Sequence, residues 1–209
     1  LRSALESLEK VNDPDLRSQL TAIATHDVRR IDRLVTEIAD ASRIDAELSR
    51  TAFAPVDLHK LVTQLAAARD MRGANRNCRI YVIHAPEDYF VSGDAPQLER
   101  VIENLLDNAV SFSPDHGKIT VTLRASGDRI ITAVKDEGPG IPPDAREKVF
   151  ERFHSLRPAS EDFGTHSGLG LAIARTIVEA HDGTLTAVDR PDGKAGACLV
   201  IDLPARSES

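Results

Sequence analysis

The first 50 residues carry their apolar side chains at helical spacing. Leu1, Leu5 and Leu8 share one face, extended by Val11, and Asn12-Asp13-Pro14-Asp15 then interrupts the pattern. Asp13 suits a helix N-cap, and Pro14 suits the first helical turn, where a missing N–H costs nothing. A second helix is therefore predicted from about Pro14 to about Leu48. Its apolar seam steps alternately by three and four through Leu20, Ala24, Asp27, Ile31, Leu34, Ile38, Ala41, Asp45 and Leu48, which is a heptad. A lone helical hairpin buries such a seam poorly. Two hairpins paired into a dimeric four-helix bundle bury it well; an amphipathic helix laid against the next domain is the alternative.

The pattern changes after a predicted linker at 51–56. From 57 to 205 the chain reads as α/β. Asp57–Met71 is predicted helical, with Leu58, Leu61, Val62 and Leu65 on one face. Arg79–His84 and Tyr89–Val91 read as short strands, and Asp94–Val110 as a strongly amphipathic helix. Lys118–Arg124 and Arg129–Lys135 alternate about Ser126-Gly127-Asp128 as a hairpin. A loop rich in Gly and Pro follows, then a helix over Leu169–His181 opened by glycines. Thr184–Val188 and Ala197–Leu203 form a last hairpin about Asp192-Gly193. The whole is an α+β chain: a helical hairpin at 1–50, then an α/β domain at 57–205.

Composition narrows the function classes. The net charge of −7 gives no basic footprint for nucleic acid, which needs clustered Lys and Arg to displace phosphate counterions. No apolar run approaches the ~18 residues that span a bilayer. The two cysteines, Cys78 and Cys198, are too few for a disulfide framework and suit a reducing compartment. Met71 is the only methionine and the chain opens at Leu1, so a piece of a longer protein is expected, with a membrane anchor elsewhere in it.

Three elements carry chemistry. On the helix from Asp94, Asn104, Asn108 and Ser111 share a stripe beside the core face of Leu98, Val101, Ile102, Leu105, Leu106 and Ala109. Carboxamide oxygens there suit a hydrated Mg²⁺ that carries phosphates, because Mg²⁺ is a hard cation. Asp136-Glu137-Gly138-Pro139-Gly140 follows a strand. Its glycines permit close ligand approach, and a strand-end carboxylate can accept a hydrogen bond from an exocyclic amine such as that of adenine. Gly164-Thr165-His166-Ser167-Gly168-Leu169-Gly170 opens a helix and offers backbone N–H groups and a positive dipole end to phosphates. Between the last two lies Val149-Phe150-Glu151-Arg152-Phe153, where two phenylalanines three apart suit a hydrophobic anchor for a mobile loop.

In this order the elements resemble the boxes of sensor histidine kinases. Asn104–Asn108 resembles their N box, Asp136–Gly140 their G1 box, Val149–Phe153 their F box and Gly164–Gly170 their G2 box. The surrounding Asn-Ala-Val-Ser-Phe-Ser-Pro is similar to the ChvG/ExoS-type subgroup. The resemblance implies a Bergerat-type ATP-binding fold, a two-layer sandwich of a mixed sheet and helices. It implies Mg²⁺ at Asn108, phosphates beside Asn104, and the adenine amine at Asp136 in a pocket shaped by Phe112, Gly138 and Gly140. It also implies phosphates near Gly164, Gly168, Leu169 and Gly170, with Arg152 as a catalytic phosphate contact and 152–168 as a lid. Ser111 departs from the family, which commonly has Lys or Arg there; Arg152 or Arg157 is expected to compensate. The implied partners are a second copy through the hairpin and a response-regulator receiver domain, and the implied setting is the cytoplasmic side of a bacterial inner-membrane sensor.

The acceptor histidine is a separate question. His26-Asp27-Val28-Arg29-Arg30-Ile31 is similar to the family's H box but has Ile31 where that box has Pro. After His26 only one helix remains before Pro55, whereas the acceptor belongs on the first helix of the hairpin. The acceptor is therefore expected upstream of Leu1. A hydrolase of the gyrase, Hsp90 or MutL kind is the competing enzyme class. Those enzymes place a glutamate general base four residues before the Mg²⁺-binding Asn. Here that position is Asn104, and Glu103 points elsewhere on the helix. A non-enzymatic nucleotide-binding dimer scaffold is the third reading.

Overall fold

The computed structural model describes residues 13, 15–22, 24, 25, 28, 53–154 and 168–206. The N-terminal helix is visible over 15–22, and Asp13 caps it as the sequence predicts. The Asp13 carboxylate accepts from the N–H of Asp15 at 2.9 Å and of Leu16 at 3.4 Å. Of the predicted seam, Leu20 is half-buried and Ala24 buried, while the helical residues around them are exposed. The rest of the hairpin, including His26, lies outside the described residues.

The described residues from 53 onward form a unit of their own. Strand β1 (Ala54–Asp57) pairs antiparallel with β3 (Phe90–Gly93) as a small two-stranded sheet. Residues 54–56 were expected in the linker. They instead form a strand, which Pro55 tolerates because a two-stranded sheet has only edges. Asp57 ends β1 and caps α1 (Leu58–Met71), accepting from the Lys60 N–H at 3.0 Å.

The main sheet has the order β2-β4-β5-β7-β6. Strand β2 (Arg79–His84) runs parallel to β4 (Lys118–Ser126). Strand β4 pairs antiparallel with β5 (Arg129–Lys135), β5 with β7 (Cys198–Pro204), and β7 with β6 (Thr184–Val188). The sheet is therefore mixed. Its register places Val121, Val134 and Leu199 in one buried row and Leu123, Thr132 and Ile201 in the next. Helices α1, α2 (Ala95–Phe112) and α3 (Gly170–Ala180) pack on this face. The opposite face carries Tyr81 and Ile83, both exposed, and the half-buried Thr120 and Thr122.

Helix α2 is the spine of the layer. Asp94 caps it, Pro96 lies in its first turn, and Leu98, Val101, Ile102, Leu105, Leu106 and Ala109 are all buried. Burying six such side chains stabilises the layer by roughly 1.5–3 kcal/mol for each larger one. Two polar clamps fix α2 against its neighbours. Arg69 of α1 reaches Glu103, pairs with Asp107 at 2.7 Å and donates through Nε to Asn75 at 3.1 Å. His181, just after α3, accepts the Asp94 N–H on Nε2 at 3.0 Å and faces the Ile177 carbonyl through Nδ1 at 2.7 Å. Together these bonds fit Nε2 as acceptor and Nδ1 as donor.

Candidate functional site: a cleft between two helices and a strand end

Asp136 is the first residue beyond β5. It is 3% exposed, and its N–H donates to the Ala197 carbonyl at 3.1 Å. Oδ1 accepts from the N–H of Gly138 at 2.8 Å and of Ala197 at 2.9 Å. Oδ2 takes no partner among the described residues, so it is the atom left to read an incoming amine. Burial pushes this carboxyl above its ordinary range, while the two N–H donors and the Arg190 charge pull it back.

The glycines act by closeness. A Cβ at Gly138 would lie 2.7 Å from the Phe112 carbonyl oxygen, so only glycine lets this loop close against the C-terminal end of α2. Phe112 is half-buried at that junction. Gly140, at φ +84°, lies against the Gly196 carbonyl.

The other end of the cleft is built by α2 and α3. The first residue of α3 is Gly170, where a Cβ would stand 3.4 Å from Asn104 Oδ1. Asn104 Nδ2 is buried and has no hydrogen-bond partner among the described residues. An orphaned buried amide costs about 1–3 kcal/mol unless something fills its bond. A phosphate oxygen fits it. Asn108 stands one turn further on, half-buried, with a carboxamide oxygen of the kind Mg²⁺ takes. Leu169 is 1% exposed and opens α3. Leucine has no side-chain oxygen to occupy the first-turn N–H groups.

The phenylalanine pair divides its work. Val149 and Phe150 are buried, and the Arg175 guanidinium of α3 lies over the Phe150 ring at 5.1 Å. Arg175 also bonds Glu147 at 3.0 Å and Glu179 at 3.1 Å, tying this segment to α3. Phe153 does not join that anchor. It is 61% exposed, with φ +64°, and its N–H donates to the Gly168 carbonyl at 3.1 Å. Gly168 meets this segment so closely that a Cβ would be 2.8 Å from the His154 carbonyl. Arg152 is exposed, and no contact among the described residues joins it to Asn104 or Asn108. Gly164 lies outside the described residues.

Glu103 directly precedes Asn104 on α2. It is engaged elsewhere, by Arg69 and by Arg72 at 3.1 Å. Sequence reading missed four participants in the architecture: Arg69, His181, Arg190 and Gly196. The pattern Arg-Pro-Asp-Gly at 190–193 marked a turn but not its reach to Asp136.

Residues 93–207 match the family described as Histidine kinase-, DNA gyrase B-, and HSP90-like ATPase. The match contains every described residue of the cleft, and the chain belongs to this family. Over 215 aligned residues the chain is 43% identical to Sensor protein ChvG of Rhizobium meliloti, covering 98% of this chain and 37% of that protein. The chain thus spans little more than a third of that relative. Among solved structures, the mycobacterial sensor histidine kinase MprB is 32% identical with a TM-score of 0.63, covering 75% of this chain and 99% of MprB. Full-length ShkA in complex with AMPPNP is 27% identical with a TM-score of 0.70, covering 97% of this chain and 42% of ShkA.

Proposed function

We propose that this chain is the kinase core of a two-component sensor. It binds Mg-ATP and transfers the γ-phosphoryl group to a histidine, from which it passes to an aspartate of a response-regulator receiver domain. The observation that carries this reading is Asn104 of α2: its Nδ2 is buried beside the first residue of α3 with no partner among the described residues, at the position where a hydrolase needs a carboxylate. An amide can donate to a phosphate oxygen but cannot take a proton from water.

Asp136 accepts the adenine amine on Oδ2, and the backbone of Gly138 and Gly140 leaves room for the ring. Asn104 and the N–H groups of α3 bind the phosphates. Asn108 would hold Mg²⁺ through its carboxamide oxygen, and the bound ion neutralises charge on the phosphates. The chain itself supplies position. The imidazole lone pair forms the N–P bond while the bond from the γ-phosphorus to the bridging oxygen breaks. ADP leaves, and the imidazole proton goes to solvent.

The acceptor is expected upstream of Leu1, with dimerisation through the hairpin and a membrane anchor in the remainder of the protein. Hydrolysis is the second reading. The engagement of Glu103 by Arg69 and Arg72 argues against it. The test incubates the 209-residue chain with γ-labelled ATP and Mg²⁺, scoring bound nucleotide, acid-labile phosphate and free phosphate. Nucleotide binding without label or steady hydrolysis is the expected result. Adding a separate protein segment that carries the acceptor should then produce label. Acid-labile label lost in His26→Gln would make His26 the acceptor, and rapid phosphate release would favour the hydrolase.

A further inference from the structure

The β6–β7 connection reaches back to the strand end that carries Asp136. Arg190, only 9% exposed, donates through Nη1 to the Asp136 carbonyl oxygen and to the Ala195 carbonyl at 3.2 Å. The other side of its guanidinium is held in a fork by Asp192, at 3.0 Å from Nε and 2.6 Å from Nη2. Gly196 makes room for this grip. It has φ +125°, and a Cβ there would lie 2.0 Å from the same Asp136 carbonyl oxygen. The next residue, Ala197, exchanges two bonds with Asp136, one of them to Oδ1. The connection therefore fixes both the main chain and one carboxylate oxygen of Asp136.

We propose that Arg190 is a positioning residue for nucleotide recognition, holding Asp136 so that Oδ2 meets the exocyclic amine of the base. This rests on the assignment of Asp136 as the adenine-reading carboxylate. The rigidity has a chemical source. A planar guanidinium forked by Asp192 cannot swing away without losing two charge-assisted bonds. The charged and titratable groups around Asp136 are Arg190 and Asp192 from the connection, Lys135 and Glu137 on either side, and Cys198 at the start of β7. Of these, the Arg190 charge is the one that favours the ionised carboxylate.

The test measures binding of Mg-ATP and of purine riboside triphosphate, which lacks the exocyclic amine, to the full chain and its variants. Arg190→Gln is expected to weaken ATP about tenfold, the size of one well-placed hydrogen bond, while the amine-free analogue changes by no more than about twofold. Arg190→Lys should fall between, since it restores charge but not the fork. Equal losses for both nucleotides, or no loss for ATP, would overturn the proposal, because Arg190 would then serve the fold alone. A wild-type chain that binds both nucleotides equally, with Asp136→Asn behaving the same, would instead remove the reading of Asp136, and the role of Arg190 with it.

Discussion

At the scale of single residues, the burial of Asp136 works against stability, and the proposed reading gives it a recognition role. Its folded value lies above the ordinary 3.8 because burial opposes the charged form. Between those two values the folded state holds more of the proton than the unfolded state does. The contribution of this residue to stability therefore declines as pH rises through that window. Asparagine keeps an Oδ1 acceptor for the Gly138 and Ala197 N–H groups and has no charge to desolvate. Asp136→Asn is thus expected to melt at or a few degrees above the wild-type temperature at neutral pH, by about 2–4 °C. Where Asp136 reads the adenine amine as proposed, the same variant turns a donor toward that amine and should bind ATP at least about tenfold more weakly. Thermal unfolding without nucleotide, beside calorimetric titration with it, checks both halves. A variant that lost stability and affinity together would show that the carboxylate serves the fold.

At the scale of elements, the clamps on α2 decide which face the two asparagines present. Arg69 holds Glu103 and Asp107, each one residue before Asn104 and Asn108. Its side chain is 3% exposed, whereas that of Arg72 is 61% exposed. Removing the buried Arg69 loses its bonds to Glu103, Asp107 and Asn75 and its packing, so Arg69→Ala is expected to cost about 2–3 kcal/mol, moderated because Glu103 and Asp107 keep solvent contact. Arg72→Ala should cost no more than about 1 kcal/mol. Urea unfolding of the two variants measures the difference. His181 closes the other end. Phe53 stacks on its ring at 4.5 Å and 10°. His181→Phe can keep that stack but leaves the Asp94 N–H unpaired, at an expected cost of about 1–3 kcal/mol by the same measurement.

The helices and the central strands were legible because each repeats one signal over many residues. The helix from Asp94 shows its cap, its proline and its 3.6-residue stripe. The strand Arg79–His84 was bounded as observed. Strand β1 was not legible, since Ala-Pro-Val-Asp carries no alternation and is a strand only because β3 lies beside it. The cleft divides in the same way. Asn104, Asp136 and the glycines stand in local patterns tied to their chemistry. Arg190 and Arg69 act across 54 and 34 residues, and no local pattern encodes a bond of that span.

At the scale of the whole molecule, the described residues divide into an N-terminal helical unit and the α/β unit from 53 onward. The α/β unit has its own core on one sheet face, and the described residues of the family match, 93–154 and 168–206, lie inside it. The chain covers 99% of the MprB structure with 75% of its own length. The helical unit is different. Along 15–28, Leu16 is 45% exposed and Val28 46% exposed, and both lie off the predicted seam. The heptad seam expected from the sequence is proposed to pair with that of a second copy. Residues 53–209 alone are therefore expected to sediment as a monomer and to bind ATP with an affinity within about threefold of the full chain. The full chain should sediment as a dimer. That dimer should persist as salt rises, because apolar burial is not screened as exposed charge pairs are. Sedimentation equilibrium at low and high salt separates the outcomes. A monomeric full chain would leave the seam without the partner argued for it here, and a dimer of 53–209 would move the interface onto the α/β unit.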